Sequence, residues 1–279
     1  MSANGPLAPL GPERPRLTRL FDRVRVGVIL ALVALVTVIG VPVQAVALKL
    51  GLPMRRRIPI LFHRIILRLI GVRRNVVGAP AQNRPLLLLS NHSSWLDIVV
   101  LGAVMEVVFV AKSEVKGWPV IGLFARLQRT VFVDRQKPAK TGEVNRQIAD
   151  RLSQGDPVLL FAEGTSSDGN KVLPFRTALV GAVREVMAEG APATVQPVAI
   201  TYVHLQGVPM GRTHRSVSAW YGDMDLVPHL MEVLRQGALD VTVSFGAPRA
   251  LDGVMDRKAV TRACESEVRR LCEASLTQR

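Results

Sequence analysis

From residue 80 onwards, short apolar runs alternate with amphipathic segments of helical period. The runs are bounded by polar or Gly- and Pro-containing stretches, as expected for buried strands. Predicted strands lie at 86–89, 107–111, 130–133, 158–161, 195–203, 217–221 and 241–245. Predicted helices lie at 96–104, 119–127, 139–154, 174–189, 226–236 and 256–275. This alternation predicts an α/β domain with a mixed central sheet flanked by helices.

The N-terminal part of the chain has a different pattern. Residues 26–48 carry no charge over 23 positions, which is long enough to cross the hydrocarbon core of a bilayer. In residues 58–70, apolar side chains cover most of the helix around a narrow basic stripe, as in an interfacial helix. We expect a disordered Pro- and Gly-rich tail over 1–16, membrane-anchoring helices over 17–75 and a folded domain over 76–279.

The net charge of +14 changes this picture only through its distribution. Residues 1–74 hold 13 Lys and Arg against two acidic residues, so most of the excess lies beside the apolar N-terminal segments. An anionic lipid surface attracts such a combination, which makes the bilayer an expected partner. Aromatic residues make up only 5% of the chain and no recognition motif is present, so nucleic acid is not expected. The two cysteines, Cys264 and Cys272, show neither a disulfide framework nor a metal-ligand spacing.

The topology of the N-terminal segments allows more than one interpretation. Both flanks of 26–48 are basic, so the positive-inside rule gives no orientation. A membrane-embedded helical hairpin keeps both flanks on the cytoplasmic side, and a single full span is the alternative. A cleaved signal peptide is disfavoured because the apolar run is long and begins well into the chain. A buried helix of a soluble protein remains open. The hairpin predicts the inner membrane, with the active site facing the cytoplasm.

A histidine and an aspartate flank the junction between the strand 86–89 and the next helix, in the sequence Asn91-His92-Ser93-Ser94-Trp95-Leu96-Asp97. Either serine is predicted to cap the helix. The carboxylate of Asp97 can fold back onto the imidazole of His92, fix its tautomer and make the other nitrogen a better base. A chain with this many His and Asp shows such a spacing by chance in about one case in five. The pair therefore needs support from other segments.

Two further polar segments follow predicted strands. The strand 130–133 leads into Asp134-Arg135, where an arginine can bind a phosphate or carboxylate bidentately. After the strand 158–161, the loop Glu163-Gly164-Thr165-Ser166 can offer backbone N–H groups to an anion. The loop is not a serine-hydrolase elbow, because Asp168 stands where that motif requires glycine. Each segment alone also fits a surface ion pair or an ordinary turn.

In order and spacing, these segments resemble the sequence blocks of the 1-acylglycerol-3-phosphate acyltransferase family of glycerolipid acyltransferases. The His–Asp block matches 91–97, and the hydrophobic strand with a terminal arginine matches 131–135. The Phe-Pro-Glu-Gly-Thr block matches 161–165, with Ala162 in place of proline. The last block, a strand with a central proline, matches 195–200.

Within the family, the chain looks most like the lyso-ornithine lipid O-acyltransferase branch. The segments that carry this likeness are 111–115, 127–133 and 163–170. One departure from the family pattern stands before the second block, where Gln128-Arg129-Thr130 replaces the usual glycine. Because that block lies near the acceptor headgroup in the family, the departure bears on the acceptor.

The resemblance implies a membrane-bound enzyme that transfers a fatty acyl group from a thioester to the hydroxyl of a lysolipid. The donor would be a thioester of acyl carrier protein or of coenzyme A, with no bound cofactor and no metal. The branch implies a lyso-ornithine-type aminolipid as the acceptor. The alternative acceptor is 1-acyl-sn-glycerol-3-phosphate, which gives phosphatidic acid. A catalytically silent lipid-binding protein is the alternative outside enzymes.

The resemblance also implies roles for individual residues. His92 would be the general base and Asp97 its orienting partner. The expected substrate-binding residues are Arg135, Glu163, Gly164, Thr165 and Ser166. Weaker candidates are Asn91, Lys112, Phe132, Arg176 and Pro197.

Overall fold

The structure is a computed structural model that describes residues 16–134, 141–177, 193–251 and 256–277. The described helices are α1 (Arg16–Lys49), α2 (Arg57–Ile70), α3 (Leu96–Val104), α4 (Ile121–Leu127), α5 (Thr141–Ser153), α6 (Arg212–Arg215), α7 (Leu226–Gln236) and α8 (Arg257–Thr277). The described strands are β1 (Val72–Val77), β2 (Leu86–Ser90), β3 (Val108–Lys112), β4 (Val131–Val133), β5 (Val158–Phe161), β6 (Ala193–Leu205), β7 (Val208–Pro209), β8 (Leu239–Phe245) and β9 (Arg249–Leu251). Short 3₁₀ helices lie at Pro53–Arg56 and Ser113–Gly117.

The strands form one mixed sheet in the order β1-β8-β6-β2-β5-β3-β4, with β7 and β9 also paired to β6. From β6 to β4 the strands run parallel, whereas β8 is antiparallel to β6. The predicted mixed sheet flanked by helices is therefore confirmed. All of the residues of β2 are buried, as expected for a parallel strand covered on both faces.

Successive leucines of β2 point to opposite faces of the sheet and so enter two separate cores. Leu87 and Leu89 pack with apolar residues of α5 and α8. Leu86 and Leu88 pack with apolar residues of α2, α3 and α7. The domain thus has three layers, and the carboxyl end of β2 emerges at the centre of the sheet.

Two predicted elements differ in the structure. Residues 217–221 form turns and irregular backbone after α6, so the predicted strand there is wrong. Val217 and Ala219 are nevertheless buried, which shows that the apolar run reflected burial without pairing. Residues 174–177, the start of the helix predicted at 174–189, are not helical, and 178–189 lie outside the described residues. The predicted tail also lies outside them up to residue 15.

The N-terminal helices form an antiparallel hairpin. The Gln44 side chain in α1 donates to the carbonyls of Arg55 (3.0 Å) and Leu127 (3.1 Å), which ties the turn and the end of α4 to α1. On its other side α2 packs on α3, where Arg64 Nε donates to the Ala103 carbonyl (2.9 Å). The hairpin is therefore built onto the domain. The division between anchor and domain at residue 75 stays a prediction.

Helix α1 contacts the rest of the protein most closely near its two ends. Its buried residues are Val26 and Ile29 towards one end and Gln44 and Ala47 towards the other, and from Val26 to Ala47 the helix spans about 32 Å at about 1.5 Å per residue. Near its start, Arg25 Nη2 donates to the Leu234 carbonyl of α7 (3.2 Å). The opposite face is exposed, and the apolar stretch Leu20–Lys49 has a mean hydropathy of 2.8 over its most apolar window. Among the described helices, this one alone is long and apolar enough to cross a membrane.

Candidate active site

The candidate site lies at the carboxyl ends of the adjacent parallel strands β2 and β5, beside the middle of β6. Ser90, the last residue of β2, pairs with Phe161 of β5 on one side and with Val198 of β6 on the other. The loop after β2 carries His92, and the loop after β5 carries Glu163. Because parallel strands bring their carboxyl ends to one edge, the two loops meet there, at the usual position of sites in α/β sheets.

The carboxylate of Asp97 is fully buried and accepts four hydrogen bonds. Its Oδ2 accepts from His92 Nδ1 (2.9 Å) and from the backbone N–H groups of Ser93 (2.8 Å) and Ser94 (2.9 Å). Its Oδ1 accepts from the hydroxyl of Tyr202 (2.7 Å). Four donors match the acceptor capacity of an ionised carboxylate, so the charge is fixed in place although water is excluded.

The start of helix α3 agrees in part with the predicted cap. The helix begins at Leu96, whose N–H donates to the hydroxyl oxygen of Ser94 (3.3 Å), whereas Trp95 makes no capping hydrogen bond through its side chain. The N–H groups of Ser93 and Ser94 donate to Asp97, in the first turn of the helix. A carboxylate there is favoured by the positive end of the helix dipole. One side chain thus both stabilises the turn and holds the imidazole.

The ring of His92 is oriented by contacts on its face and at one nitrogen. It stacks on Phe161 with ring centroids 4.0 Å apart, and Phe161 stacks in turn on Phe109 at 6.2 Å. With Nδ1–H donated to Asp97, Nε2 carries the free lone pair. The side chain is 17% exposed, so the ring has access to substrate. This arrangement suits removal of a proton from a hydroxyl.

Tyr202 is a site residue that sequence reasoning missed. It lies in β6 and is separated from Asp97 by 105 positions along the chain. Burial and the negative charge of Asp97 hold the pKa of the Tyr202 hydroxyl well above its ordinary value, so it remains a donor. A tyrosine in a buried strand signals that its hydroxyl needs a partner, but the sequence does not identify that partner.

We expect Tyr202→Phe to lower the free energy of unfolding by about 1.5–3 kcal/mol, because it removes a buried hydrogen bond to a charged group. The value of kcat should fall less than for a change at Asp97, since the contact between Asp97 and His92 remains. Chemical denaturation and steady-state kinetics measure the two effects. Tyr221→Phe, at the only other tyrosine, is the control. Equal stability of the two variants would contradict the assigned contact.

The loop after β5 is joined to the His92 loop through the backbone. The N–H of Ser167 donates to the carbonyl of His92 (2.9 Å), and that of Ala162 donates to the carbonyl of Ser90 (3.0 Å). Glu163 lies beneath this junction at 2% exposure, and its Oε1 accepts from the Leu173 N–H (3.2 Å). The carboxyl group of Glu163 therefore packs under the His92 loop, and its contact with an acceptor stays a prediction.

Burial raises the pKa of Glu163 to about 8. Hydrogen bonds from the N–H groups of Leu173 and His92 favour the charged carboxylate and limit this increase in pKa. The folded protein thus holds this proton where the unfolded chain, with an ordinary pKa of 4.5, has lost it. Stability should fall as pH rises from about 4.5 to about 8 and should then level off. We expect Glu163→Gln to remove this pH dependence. The stability of the variant relative to that of the wild type should therefore increase from pH 5 to pH 8. Denaturation midpoints at pH 5 and pH 8 measure it, and an unchanged difference between the proteins would refute it.

The structure places Arg176 directly beside Gly164. Gly164 has φ +74, and a Cβ built there would lie 2.8 Å from Cδ of Arg176. The Gly164 N–H donates to the Phe161 carbonyl (3.1 Å), so this amide belongs to the turn. Thr165 is exposed and Ser166 is half-buried. The third sequence block thus presents a guanidinium together with two hydroxyl side chains near the His92 loop.

Asn91 and Pro197 join β6 to its neighbours. The Asn91 amide pairs with both backbone groups of Ile200, at 2.9 Å each. Pro197 lies in β6 between the stretches that pair with β9 and with β8. A residue without an N–H is tolerated there because no antiparallel partner needs one. The Gly246 N–H donates to the Pro197 carbonyl (2.9 Å) and holds the strand at this position.

The second sequence block lies three strands away from His92. At about 4.8 Å per strand, β4 is about 14 Å from β2 along the sheet. Phe132 is half-buried opposite Ala111, and Lys112 is exposed at the end of β3. Arg135 lies outside the described residues, so its role stays a prediction.

Arg129 stands where the family usually has glycine, and it also has a backbone conformation typical of glycine. It adopts φ +61, a left-handed conformation that glycine takes readily. Its guanidinium holds the fully buried Asp156, with Nη1 at 2.8 Å and Nη2 at 2.9 Å from the carboxylate oxygens. Arg56 also pairs with Asp156 (3.3 Å). These ion pairs connect the hairpin turn to the edge of the sheet and offset the backbone strain at Arg129.

Neither cysteine suits a covalent mechanism. Burial raises the pKa of both Cys264 and Cys272 to about 11, so neither forms much thiolate at neutral pH. Over the described parts of the chain, no group of three or more His, Cys, Asp or Glu side chains could hold a metal ion. The chemistry that the site offers is that of the His92–Asp97 pair.

Comparisons with known proteins agree with this chemistry. The family profile described as Acyltransferase matches residues 73–201. The lyso-ornithine lipid O-acyltransferase of Brucella abortus is 49% identical over 262 residues, which cover 93% of this chain and 98% of that protein. The protein of the same name from Rhizobium meliloti is 45% identical, with 93% and 90% covered.

More distant similarity extends to enzymes named for a glycerophosphate acceptor. The 1-acyl-sn-glycerol-3-phosphate acyltransferase of Neisseria gonorrhoeae is 32% identical over 195 residues, with 69% of this chain and 72% of that protein covered. The crystal structure of the 1-acyl-sn-glycerophosphate (LPA) acyltransferase from Thermotoga maritima has the same fold, with a TM-score of 0.62 at 21% identity. That match covers 94% of this chain and 98% of the other.

Proposed function

This chain belongs to the acyltransferase family, and we propose that it acylates the hydroxyl of a lyso-ornithine lipid in bacterial membrane lipid synthesis. Enzymes of this family use acyl thioester donors and no cofactor. The two lyso-ornithine lipid O-acyltransferases are 49% and 45% identical to this chain over nearly its whole length. The 1-acyl-sn-glycerol-3-phosphate acyltransferase is 32% identical, so the comparisons support the lyso-ornithine lipid as acceptor over 1-acyl-sn-glycerol-3-phosphate. The observation that carries the chemistry is the 2.9 Å contact between His92 Nδ1 and the buried Asp97.

The proposed reaction proceeds in one transfer. His92 Nε2 removes the proton from the acceptor hydroxyl while the oxygen attacks the thioester carbonyl. Asp97 stabilises the imidazolium that forms. The tetrahedral intermediate then breaks its carbon–sulfur bond, and the departing thiolate takes the proton back from the imidazolium. The enzyme returns to its starting state, and the products are the ester and the free thiol.

The remaining contacts are proposals of the same kind. Arg176 and the hydroxyls of Thr165 and Ser166 would bind polar groups of the substrates beside Gly164, and Arg135 would bind an anionic group from the β4 side. Lys112, exposed at the edge of β3, would meet the phosphates of the donor. Arginine and lysine suit these roles because they offer charged donors to phosphate and carboxylate oxygens. Either acyl carrier protein or coenzyme A fits such contacts.

A direct comparison of acceptors tests the proposed function. Purified protein receives lyso-ornithine lipid or lysophosphatidic acid, each with an acyl carrier protein thioester and with a coenzyme A thioester. We expect a kcat/KM at least about 10-fold higher for lyso-ornithine lipid, equivalent to about 1.4 kcal/mol of discrimination. Efficient acylation of lysophosphatidic acid alone would instead assign the chain to phosphatidic acid synthesis.

The membrane arrangement follows from the position of α1. The domain contacts α1 at two places, Arg25 and Gln44, which lie about 29 Å apart along the helix, close to the thickness of a bilayer core of about 30 Å. A perpendicular span would therefore draw folded, polar domain surface into lipid, which is strongly unfavourable. The hairpin would instead lie in the cytoplasmic leaflet of the inner membrane with the exposed face of α1 in lipid. Exposed Trp118, Val120 and Leu123 beside α4 extend this apolar surface.

This arrangement predicts that both ends of α1 face the cytoplasm. In a protein with Cys264 and Cys272 replaced by alanine, we expect Ser2→Cys to resist a membrane-impermeant maleimide in spheroplasts and to react in inverted vesicles. Thr213→Cys, on exposed α6, is the matched control for the domain. Reaction of Ser2→Cys in spheroplasts, with Thr213→Cys protected, would establish a full span instead.

A further inference from the structure

A cavity of about 170 Å³, lined by both polar and apolar side chains, opens beside the His92 loop. Its walls are the loop 167–172, the turn after α6 and the C-terminal half of α8. A single water needs about 10–15 Å³ of such space, so the cavity can hold a small polar headgroup. Tyr202, whose hydroxyl donates to Asp97, also lines the cavity.

The cavity adjoins the proposed base through two segments of backbone. Ser93 lines it, and the Ser93 N–H donates to Asp97 (2.8 Å). Ser167 also lines it, and the Ser167 N–H donates to the carbonyl of His92 (2.9 Å). Of these two wall residues, Ser93 is therefore adjacent to His92 in the chain, and Ser167 is hydrogen-bonded to it. One small lipid can place a headgroup in the cavity and a hydroxyl near the imidazole.

The charged lining has both signs. Lys171, Arg215 and Arg269 supply positive charge, and Glu273 supplies negative charge. Arg269 is already paired with Glu265 (2.8 Å). Nε of Arg215 is buried and has no hydrogen-bond partner among the described residues. Burial of a guanidinium donor is costly unless an acceptor satisfies it, so Arg215 is poised to bind an anionic oxygen.

We propose that this cavity binds the amino-acid headgroup of the acceptor lipid, with the carboxylate at Arg215 and the ammonium at Glu273. The inference rests on the proposed function. Ornithine has no hydroxyl, so the acylated hydroxyl belongs to the fatty chain. A chain joined through one amine as an amide leaves one carboxylate and one ammonium free.

The sign pattern separates this headgroup from a phosphate. A zwitterionic amino acid satisfies both Arg215 and Glu273, each with an opposite charge. A phosphate monoester carries only negative charge, so Lys171 and Arg215 would attract it and Glu273 would repel it. Specificity for the aminolipid would then come from attraction at one residue and from repulsion of the competitor at the other.

Kinetics with both acceptors test the assignment. We expect Arg215→Ala to raise KM for lyso-ornithine lipid by about 10- to 100-fold, the effect of losing a charged hydrogen bond, with a smaller change in kcat. Glu273→Gln should raise KM for lyso-ornithine lipid and should leave unchanged or lower KM for lysophosphatidic acid. Arg212→Ala and Glu267→Gln are charge-matched controls outside the cavity lining and should keep the wild-type KM.

A binding measurement keeps the test independent of turnover. N-hexanoylornithine lacks the hydroxyl and should inhibit wild-type protein competitively with the lysolipid. Glu273→Gln and Arg215→Lys should weaken this inhibition. These two conservative variants keep the test valid if Arg215→Ala does not fold. Wild-type KM and inhibition in all of the cavity variants would overturn the headgroup site alone. Wild-type protein that does not acylate lyso-ornithine lipid would overturn the proposed function itself.

Discussion

Replacing His92 with alanine should lower kcat by about 10²- to 10⁴-fold, the usual contribution of a general base. The imidazole is held by Asp97 at 2.9 Å and stacked on Phe161 at 4.0 Å, and alanine has no group that could take up the proton. Folding should persist, because the ring lies at the surface of the site and fills no core. Acyl transfer is measured with purified protein, together with its thermal unfolding.

His214→Ala is the matched control, since His214 is exposed on α6. It should retain wild-type activity and stability. Substantial acyl transfer by folded His92→Ala protein would refute the assignment of the base. If His92→Ala loses both folding and activity, His92→Gln provides the test. Glutamine keeps a polar side chain of similar size but cannot act as a base at neutral pH.

Replacing Asp97 with asparagine should lower kcat by a similar factor, about 10²- to 10⁴-fold, for a different reason. All four groups around the carboxylate are donors: His92 Nδ1–H, the N–H groups of Ser93 and Ser94, and the hydroxyl of Tyr202. The carbonyl oxygen of asparagine can take the place of Oδ2, and its NH₂ then faces Tyr202, whose hydroxyl oxygen can accept. The variant therefore keeps these contacts but lacks the negative charge that stabilises the imidazolium.

The pH dependence of kcat and the stability of Asp97→Asn distinguish this mechanism from simple unfolding. A folded variant with low kcat and nearly unchanged KM is the expected result, because Asp97 touches no substrate. Asp240→Asn is the control: Asp240 pairs with Arg73 at 2.7 Å at the other side of the sheet. Near-wild-type kcat in Asp97→Asn would show that the carboxylate does not orient the base.

Much of the fold could be predicted from local sequence. The runs at 86–89 and 158–161 are continuous and apolar because both faces of β2 and β5 are covered. β1 could not be predicted, because Arg73 and Arg74 interrupt it at the sheet edge, where most of its side chains are exposed. The strand expected at 217–221 failed for the opposite reason: a buried apolar segment need not pair.

The candidate site could be predicted only where its residues are close in sequence. His92 and Asp97 are five positions apart, and one turn of helix is enough to bring them together. Tyr202 is 105 positions from Asp97, and no local pattern relates them. The same holds for Gly164 and Arg176, whose contact depends on how the chain returns after the loop.

The sequence by itself indicated the chemistry: a histidine with a carboxylate one turn away, a polar glycine-containing loop after a later strand, and apolar basic segments near the N-terminus. Hydrophobic period and local spacing encode these features directly. Only the tertiary structure decided the order of the strands, the fourth donor to Asp97, the position of α1 along the domain, and the mixed-charge cavity of Arg215 and Glu273. These depend on packing between distant segments, whose free energies are contributed by many contacts at once and are not written in any local pattern.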